Sequence, residues 1–332
     1  MASQSIRSTA RSLWQNLAKD TLTLQTRPIP VVKPNSDEHL VRVHATALCA
    51  RELLWPKLFP VPGKEEIIPG YDLAGTVVVA PSSSPFKEGD EVYARTNYIR
   101  PGCARDYTVT TAEELAIRPR GLTWPDTAVI PLSALTAWQA LFDQAGFATP
   151  DNAEANRGKR LLVTAASGGV GLWVLQLANV AGLHIIASCG AENDQFVKDL
   201  GADEVVNYRT TKLTDWALSN AAGKVDVVID CYGGETLADA WGTVKNGGSL
   251  ISIVEPPEGK KPADSTAQDV RNFFFIMQPS GKQLAKITDL VNEGKCHGVL
   301  DSVYPLEEFE KAFERVGSRK AKGKVVLKLT DD

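Results

Sequence analysis

Residues 160–178 read RLLVTAASGGVGLWVLQLA, an apolar run that passes through a stretch of small residues into a second, helically spaced apolar run. A strand that feeds a small-residue turn opening a helix suits phosphate chemistry: the free N–H groups at the helix start carry partial positive charge, and residues without bulk let an anion reach them. Ser167, Gly168 and Gly169 are the residues that would let the backbone approach phosphate oxygens, and Gly171 lets helix and strand pack closely. Ala166 stands where G-x-G-x-x-G has its first glycine. The pattern predicts a dinucleotide pyrophosphate site; the competing reading is a tight turn that binds nothing.

A second strand, HIIASC, ends at Ser188, Cys189 and Gly190. NAD-binding versions of this unit place Asp or Glu at that strand end, about 20 residues past the glycines, to accept from the adenosine ribose. No carboxylate stands there. The small residues leave room for a 2′-phosphate, with Ser188 and Asn193 as donors, Tyr208 nearby and Lys198 as a more distant charge, so NADPH is expected over NADH. Glu192 is the residue that opposes this choice.

Five cysteines (Cys49, Cys103, Cys189, Cys231, Cys296) show no C-x-x-C spacing, and the four histidines (His39, His44, His184, His297) show no metal-ligand spacing. They read as reduced thiols and structural or exposed imidazoles. The 332 residues carry 36 Lys and Arg against 40 Asp and Glu, a net charge of -4, which offers no electrostatic footprint for nucleic acid. No apolar run reaches the length of a membrane span, and the first 20 residues lack the apolar centre of a secretory signal. Cytoplasm is the expected location; Arg7 and Arg11, with no acid before Asp20, are the weaker mitochondrial signal.

These groups need a scaffold. Residues 22–115 read as short β-branched runs broken by Pro and Gly clusters, the texture of a mostly β domain. After Pro125, apolar strands (RLLVTAA, HIIASC, EVVNY, VDVVIDC, SLISIV) alternate with helical segments, notably Gly169 to Ala181 and Asn193 to Leu200, as βαβ units of a parallel sheet require. From Asp269 the alternation stops and FFFIMQP, two helices (Lys282 to Glu293, Pro305 to Val316) and a last strand KVVLKL follow. The expected architecture is α/β: a catalytic domain begun by 1–125, a doubly wound cofactor domain over 126–268, and a return segment 269–332 that completes the first.

The ordered segments IIPGYDLAGTVV, FKEGDEVYA, LTWPDTAVIPLSALTAWQALF, LLVTAASGGVG, FVKDLGADEVVNY, VDVVIDCYGG and AKGKVVLKL resemble the zinc-independent medium-chain dehydrogenase/reductases, the quinone oxidoreductase and enoyl reductase branch. The resemblance implies a GroES-like β domain split around a Rossmann domain, NADPH as hydride donor, a site in the cleft between the two, and a homodimer. Carried over by position, Ser167 to Val170 would hold the pyrophosphate and Tyr208 would pack near the adenosine phosphate. Cys231 would line the ribose path, Thr136 would approach the nicotinamide ribose, Ile253 and Phe274, Phe275 and Ile276 would meet the nicotinamide amide, and Lys322 with Gly323 would make the final cofactor contact.

Alcohol dehydrogenases of the same superfamily polarise the alcohol with zinc. Cys49 falls where their first ligand falls, but Gly70-Tyr71-Asp72 replaces G-H-E, the Leu132-Ser133 region replaces the second cysteine, and the structural four-cysteine loop is missing. The zinc-free branch shows N-P-V-D where this chain has Cys49-Ala50-Arg51-Glu52, so a thiol replaces the amide beside the nicotinamide and Glu52 lengthens the acid; either could equally be a packing residue and a helix-start acid. Without a metal, a C=C bond conjugated to carbonyl is the accessible hydride acceptor, since it needs oxyanion donors and a proton source. Cys49, Glu52, Tyr71 and Tyr98 are the catalytic candidates, with Arg51 and Arg95 as further donors. A small-molecule enone or quinone is the expected substrate. The alternatives are a tailoring reductase of polyketide-type compounds, working on a carrier protein or polyketide synthase, and an NADPH-binding scaffold without turnover.

Overall fold

The computed structural model describes residues 8–220, 222–318 and 320–330. The chain forms two compact units, 1–132 with 278–332 and 133–277. In chain order the strands of the first segment are β1 (Thr9–Asn16), β2 (Thr21–Pro28), β3 (Glu38–Leu48), β4 (Glu66–Ile67), β5 (Asp72–Val79), β6 (Glu91–Arg95), β7 (Tyr107–Thr111) and β8 (Leu115–Ile117). The middle segment contributes β9 (Arg160–Val163), β10 (His184–Cys189), β11 (Glu204–Asn207), β12 (Val225–Asp230), β13 (Val244–Ser252) and β14 (Arg271–Phe274). The last segment contributes β15 (Leu300–Pro305) and β16 (Lys324–Lys328).

In the first unit, β3 is the organising strand. Its residues are almost all buried, and it pairs antiparallel with β5, β7 and β16 in a sheet ordered β15-β16-β3-β5-β6-β8. Leu13, Val41, Val43, Leu73, Val92, Val325 and Leu327 form its core, each fully or almost fully removed from water. The pairing of β16 with β3 brings Val325 opposite Leu48 and delivers the far end of the chain to the site residues that follow β3. Ser280 caps the helix Gly281–Asn292 by accepting from the Gln283 N–H, a local signal legible as S-x-x-Q.

The second unit is a six-stranded parallel sheet ordered β11-β10-β9-β12-β13-β14. Strand order reverses between β9 and β12, so a crevice opens at their carboxyl ends, where sheets of this kind take ligands. Leu162, Ile186, Val206, Val228 and Leu250 fill the core beneath Trp241. The helices run Gly171–Val180 and Asp194–Asp199, slightly shorter than their apolar patterns, and Gly182 and Gly201 follow them at φ 74° and 107°, a left-handed conformation that glycine adopts without strain.

The unit boundaries fall later than the textual breaks after 125 and 268. The helix Trp124–Ala128 packs against β3 and β5, which keeps it with the first unit. FFFIMQP does not belong to the return segment: Arg271–Phe274 hydrogen-bonds in parallel register to β13 and ends the Rossmann sheet as its sixth strand. The run carries no alternation: β14 is the edge strand, and its residues are exposed or only partly buried. No helix among the described residues is long and apolar enough to cross a membrane.

Candidate cofactor and catalytic sites

Because the six strands of the second unit are parallel, their carboxyl ends share one edge, and the residues that follow them gather there. Ser167, Gly168, Gly169 and Val170 follow β9, Ser188 closes β10 with Asn193 just beyond, Tyr208 follows β11, Cys231 follows β12, Ile253 follows β13, and Phe274, Phe275 and Ile276 end and extend β14. The sequence-derived cofactor residues of this unit, Thr136 apart, are therefore one strip. Thr136 is nearly buried within the helix Pro131–Trp138.

The β9 turn is built for close approach. Ala165 holds a left-handed φ of 47°, and a Cβ on Gly171 would stand 2.5 Å from the Ala165 carbonyl and 2.7 Å from the Ala166 Cα. A Cβ on Gly168 would lie 3.2 Å from the Ala165 oxygen. Asn193 donates through Nδ2 to the Ser167 Oγ at 3.2 Å, while its Oδ1 is buried without a partner among the described residues, an acceptor left for a ligand hydroxyl. These features fit a dinucleotide.

Beneath the strip lies a residue that sequence reasoning did not single out. The fully buried Asp230 accepts from the Thr164 hydroxyl at 2.7 Å, the Ser252 hydroxyl at 2.9 Å and the Gly233 N–H at 3.0 Å, tying together the ends of β9, β12 and β13. The Thr164 hydroxyl in turn accepts from the Cys231 N–H at 2.9 Å. A carboxylate at the end of VDVVID was its only sequence signal.

At the second strand Glu192 is engaged by a cation. Its carboxylate is clamped by Arg209, with both guanidinium nitrogens at 2.8 Å, and folds over Gly190, where a Cβ would meet it at 2.7 Å. Arg209, overlooked in the sequence, stands beside Tyr208, whose side chain is half exposed. Lys198, read as a distant charge for the phosphate, is instead engaged by Asp194 at 2.6 Å one helical turn away. Ser188 is nearly buried, and its carbonyl accepts from the Ala166 N–H at 3.1 Å.

The first unit concentrates its chemistry behind β3. Glu52 is almost fully buried and spends both oxygens on backbone, accepting from the Cys49 N–H at 2.8 Å and from the Gly70 N–H. Burial pushes its carboxyl up to about 7, with the two N–H groups working against the rise. It fixes the corner between Cys49 and Gly70, the latter at φ 79°. Tyr71 is buried under Trp55 and Tyr98, with ring centroids 5.8 and 5.5 Å away, and the Arg95 guanidinium lies 5.5 Å from its ring centre. Burial raises its phenol well above the tyrosine norm, so it stays a neutral hydroxyl. Tyr98 donates to the Phe59 carbonyl at 2.7 Å.

Cys49 and Asp72 meet at a lysine. Lys324 Nζ lies 2.8 Å from the Cys49 Sγ and 3.1 Å from Asp72 Oδ2, and Asp72 Oδ1 accepts from the Leu132 N–H at 2.6 Å. The carry-over had named Lys322. That side chain is exposed, its N–H donating to Asp301 Oδ1 at 2.9 Å, whereas Lys324, two residues on, is the buried one.

Comparison with known proteins follows this geometry. Residues 35–126 match the alcohol dehydrogenase GroES-like domain, and residues 200–327 match the family described as zinc-binding dehydrogenase. The chain is 55% identical over 326 residues, 98% of each protein, to an Arthroderma benhamiae protein named "Probable zinc-binding oxidoreductase, mitochondrial". It is 34% identical over 313 residues, 90% of this chain and 92% of the relative, to an Arabidopsis thaliana "Chloroplast envelope quinone oxidoreductase homolog". A solved quinone oxidoreductase from Coxiella burnetii shares the fold with a TM-score of 0.81 at 23% identity, over 97% of this chain and 100% of that one. A GroES-like unit combined with a Rossmann unit defines an oxidoreductase of the NAD(P)H-binding kind. The chain belongs to the medium-chain dehydrogenase/reductase superfamily, in its quinone oxidoreductase-like branch.

One expectation changes here. The mitochondrial name of the 55%-identical relative overturns the cytoplasmic location. Of the two arginines behind the weaker signal, Arg7 lies outside the described residues, and Arg11 belongs to β1, paired with Asp106 at 2.7 Å. Zinc, not expected from the sequence, is implied by the names of the matched family and of that relative. The residues present do not fit it: Leu132 and Ser133 offer no ligand, Cys49 and Asp72 are engaged by an ammonium, and no group of three His, Cys, Asp or Glu side chains suited to a metal occurs among the described residues.

Proposed function

We propose that the chain is a mitochondrial, NADPH-preferring oxidoreductase that passes hydride to a quinone or to a double bond conjugated with carbonyl, without zinc at Cys49. The carrying observation is the donor set of the first unit, where Lys324 engages Cys49 and Asp72 and, among the described residues, no third metal ligand stands by. Lacking a Lewis acid, such a site favours acceptors that spread the incoming charge onto their own oxygen. NADPH, when bound, supplies the hydride. Ser167 to Val170 would hold its pyrophosphate, and Arg209 beside Tyr208, paired with Glu192 until a 2′-phosphate competes for it, would supply the charge that such a group needs. Tyr71, aromatic and neutral, would face the acceptor, while Glu52 serves as a backbone clamp. The relatives' names, quinone oxidoreductase and mitochondrial, agree with this reading.

The test is NADPH oxidation against a panel of quinones, enals and saturated ketones, with NADH alongside. Turnover confined to the conjugated acceptors is expected, together with enrichment of the full-length chain in purified mitochondria. Zinc-dependent oxidation of secondary alcohols would overturn the assignment. Tight NADPH binding with no acceptor reduced would leave the scaffold.

A further inference from the structure

Of the stretches that stand at the zinc-ligand positions of related alcohol dehydrogenases, 49, 70–72 and Leu132 meet in the first unit, and a lysine lies among them. Lys324 touches Cys49 and Asp72, and Asp72 is tied to the Leu132 N–H. Asp72 is fully buried and the lysine side chain is 7% exposed. Placement of this lysine is over-determined. The register of β16 on β3, with Val325 opposite Leu48, sets Lys324 against the residue after Leu48, and Gly323 precedes it at φ 82° where a Cβ would strike the Val299 carbonyl.

A buried ammonium needs a fixed counter-charge, and Asp72 provides it. Burial works to discharge Lys324; the Asp72 carboxylate and the hydrogen bond to the Cys49 sulfur work against it, so the ammonium is retained. Cys49 is the more accessible member, partly buried where Lys324 and Asp72 are buried. Burial pushes its thiol up to about 12, with Lys324 opposing the rise, so it is a thiol at neutral pH. The sulfur accepts from Nζ, which leaves the S–H hydrogen free to point away from the lysine.

We propose that Lys324 is the resident cation of this site, standing where a metal ion would bind, and that it holds the Cys49 thiol as a hydrogen-bond donor toward the oxygen of the bound acceptor. The inference rests on the acceptor class proposed above. As hydride reaches the remote carbon, electron density collects on that oxygen, and an S–H backed by a cation 2.8 Å behind its sulfur stabilises it. Cys49 keeps its proton; water supplies the one that completes the product. Glu52, bonded to the Cys49 N–H, and Lys324 are positioning residues, and Cys49 is the group that touches substrate.

The test uses the full chain with Cys49→Ala, Cys49→Ser and Lys324→Met. Cys49→Ala spares the Lys324 and Asp72 pair, so it should fold. It should lower kcat at least about tenfold while the NADPH dissociation constant, read by fluorescence titration, stays unchanged, and Cys49→Ser, which restores a donor, should recover most of the loss. Wild-type protein should show no cobalt-thiolate absorption with Co²⁺, whereas Lys324→Met should acquire it through Cys49. Full kcat in Cys49→Ala, or cobalt-thiolate absorption in the wild type, would overturn the proposal. Should the wild type reduce no acceptor, the proposed function fails by itself, and the cobalt titration still decides whether Lys324 holds the metal position. If Lys324→Met does not fold, the wild-type titration and the Cys49 pair carry that decision.

Discussion

The carboxyl edge of the second unit and the cluster behind β3 of the first solve opposite problems. The edge that would meet the cofactor presents backbone, the Ser167 hydroxyl and the Asn193 amide, all partly exposed, and its Arg209–Glu192 ion pair lies at the surface. The cluster buries Lys324, Asp72 and Glu52 and satisfies them internally. Charges out of water stabilise a fold only while every partner is present, whereas a surface strip tolerates loss and redesign. Removing one group should therefore damage folding in the first unit and binding in the second.

The largest expected effect follows from Lys324→Met, which leaves the Asp72 carboxylate buried without its cation. Unfolding of the first unit should be easier by roughly 3–5 kcal/mol, read from the earliest transition in denaturant. A shift below about 1 kcal/mol would mean that water reaches Asp72 and that the contrast between the units is weaker than drawn.

Next comes pH. The folded-state pKa of Glu52, about 7, stands above the carboxylate value of an unfolded chain, so the folded state binds the proton more tightly. Its contribution is fully present below about pH 4.5 and is lost as pH rises through about 7. On the order of 2–3 kcal/mol should disappear across that window. Glu52→Gln should flatten this part of the profile, although its amide has one acceptor oxygen for two N–H donors. An equally steep fall in Glu52→Gln would assign the pH dependence elsewhere.

The same contrast explains what could be read from the chain. The cofactor edge was legible because strand, turn and helix are contiguous: ASGGVG announces itself within 20 residues, and parallel strand order then aligns the other strand ends. Arg209 was missed because its role depends on reaching back 17 residues to Glu192 across neighbouring strands. Lys324 was missed for a stronger reason, since it lies 275 residues from Cys49 and only the antiparallel pairing of β16 with β3 joins them. FFFIMQP was assigned to the return segment because a short edge strand shows no alternation of its own, and only its parallel pairing with β13 ties it to the sheet.

Gly169→Asp probes the edge at its strongest point. A carboxylate in the turn would oppose the pyrophosphate, and NADPH affinity should fall at least about tenfold, equivalent to roughly 1.4 kcal/mol, while circular dichroism and solubility stay close to wild type. Unchanged affinity would show that the turn is structural.

The smallest effect, and the most discriminating, belongs to Arg209→Ala. The Arg209 and Glu192 side chains are each about half exposed, so breaking their pair should leave the thermal midpoint where it was. What changes is the sign of the local field. With the guanidinium in place, the Arg209–Glu192 pair is neutral overall and a 2′-phosphate can compete with Glu192 for a planar, always-charged donor; without it, a bare carboxylate faces the phosphate and can instead accept from ribose hydroxyls. NADPH affinity should fall roughly five- to tenfold and NADH affinity should hold or improve, so the ratio of the two dissociation constants moves further than either alone. Raising ionic strength should shrink the wild-type preference and leave the variant's ratio flat, because screening acts on the charge that the variant lacks. Parallel losses for both cofactors would mean that Arg209 supports Tyr208 and the strand end rather than reading the phosphate, and the preference would then have to come from Ser188 and Asn193.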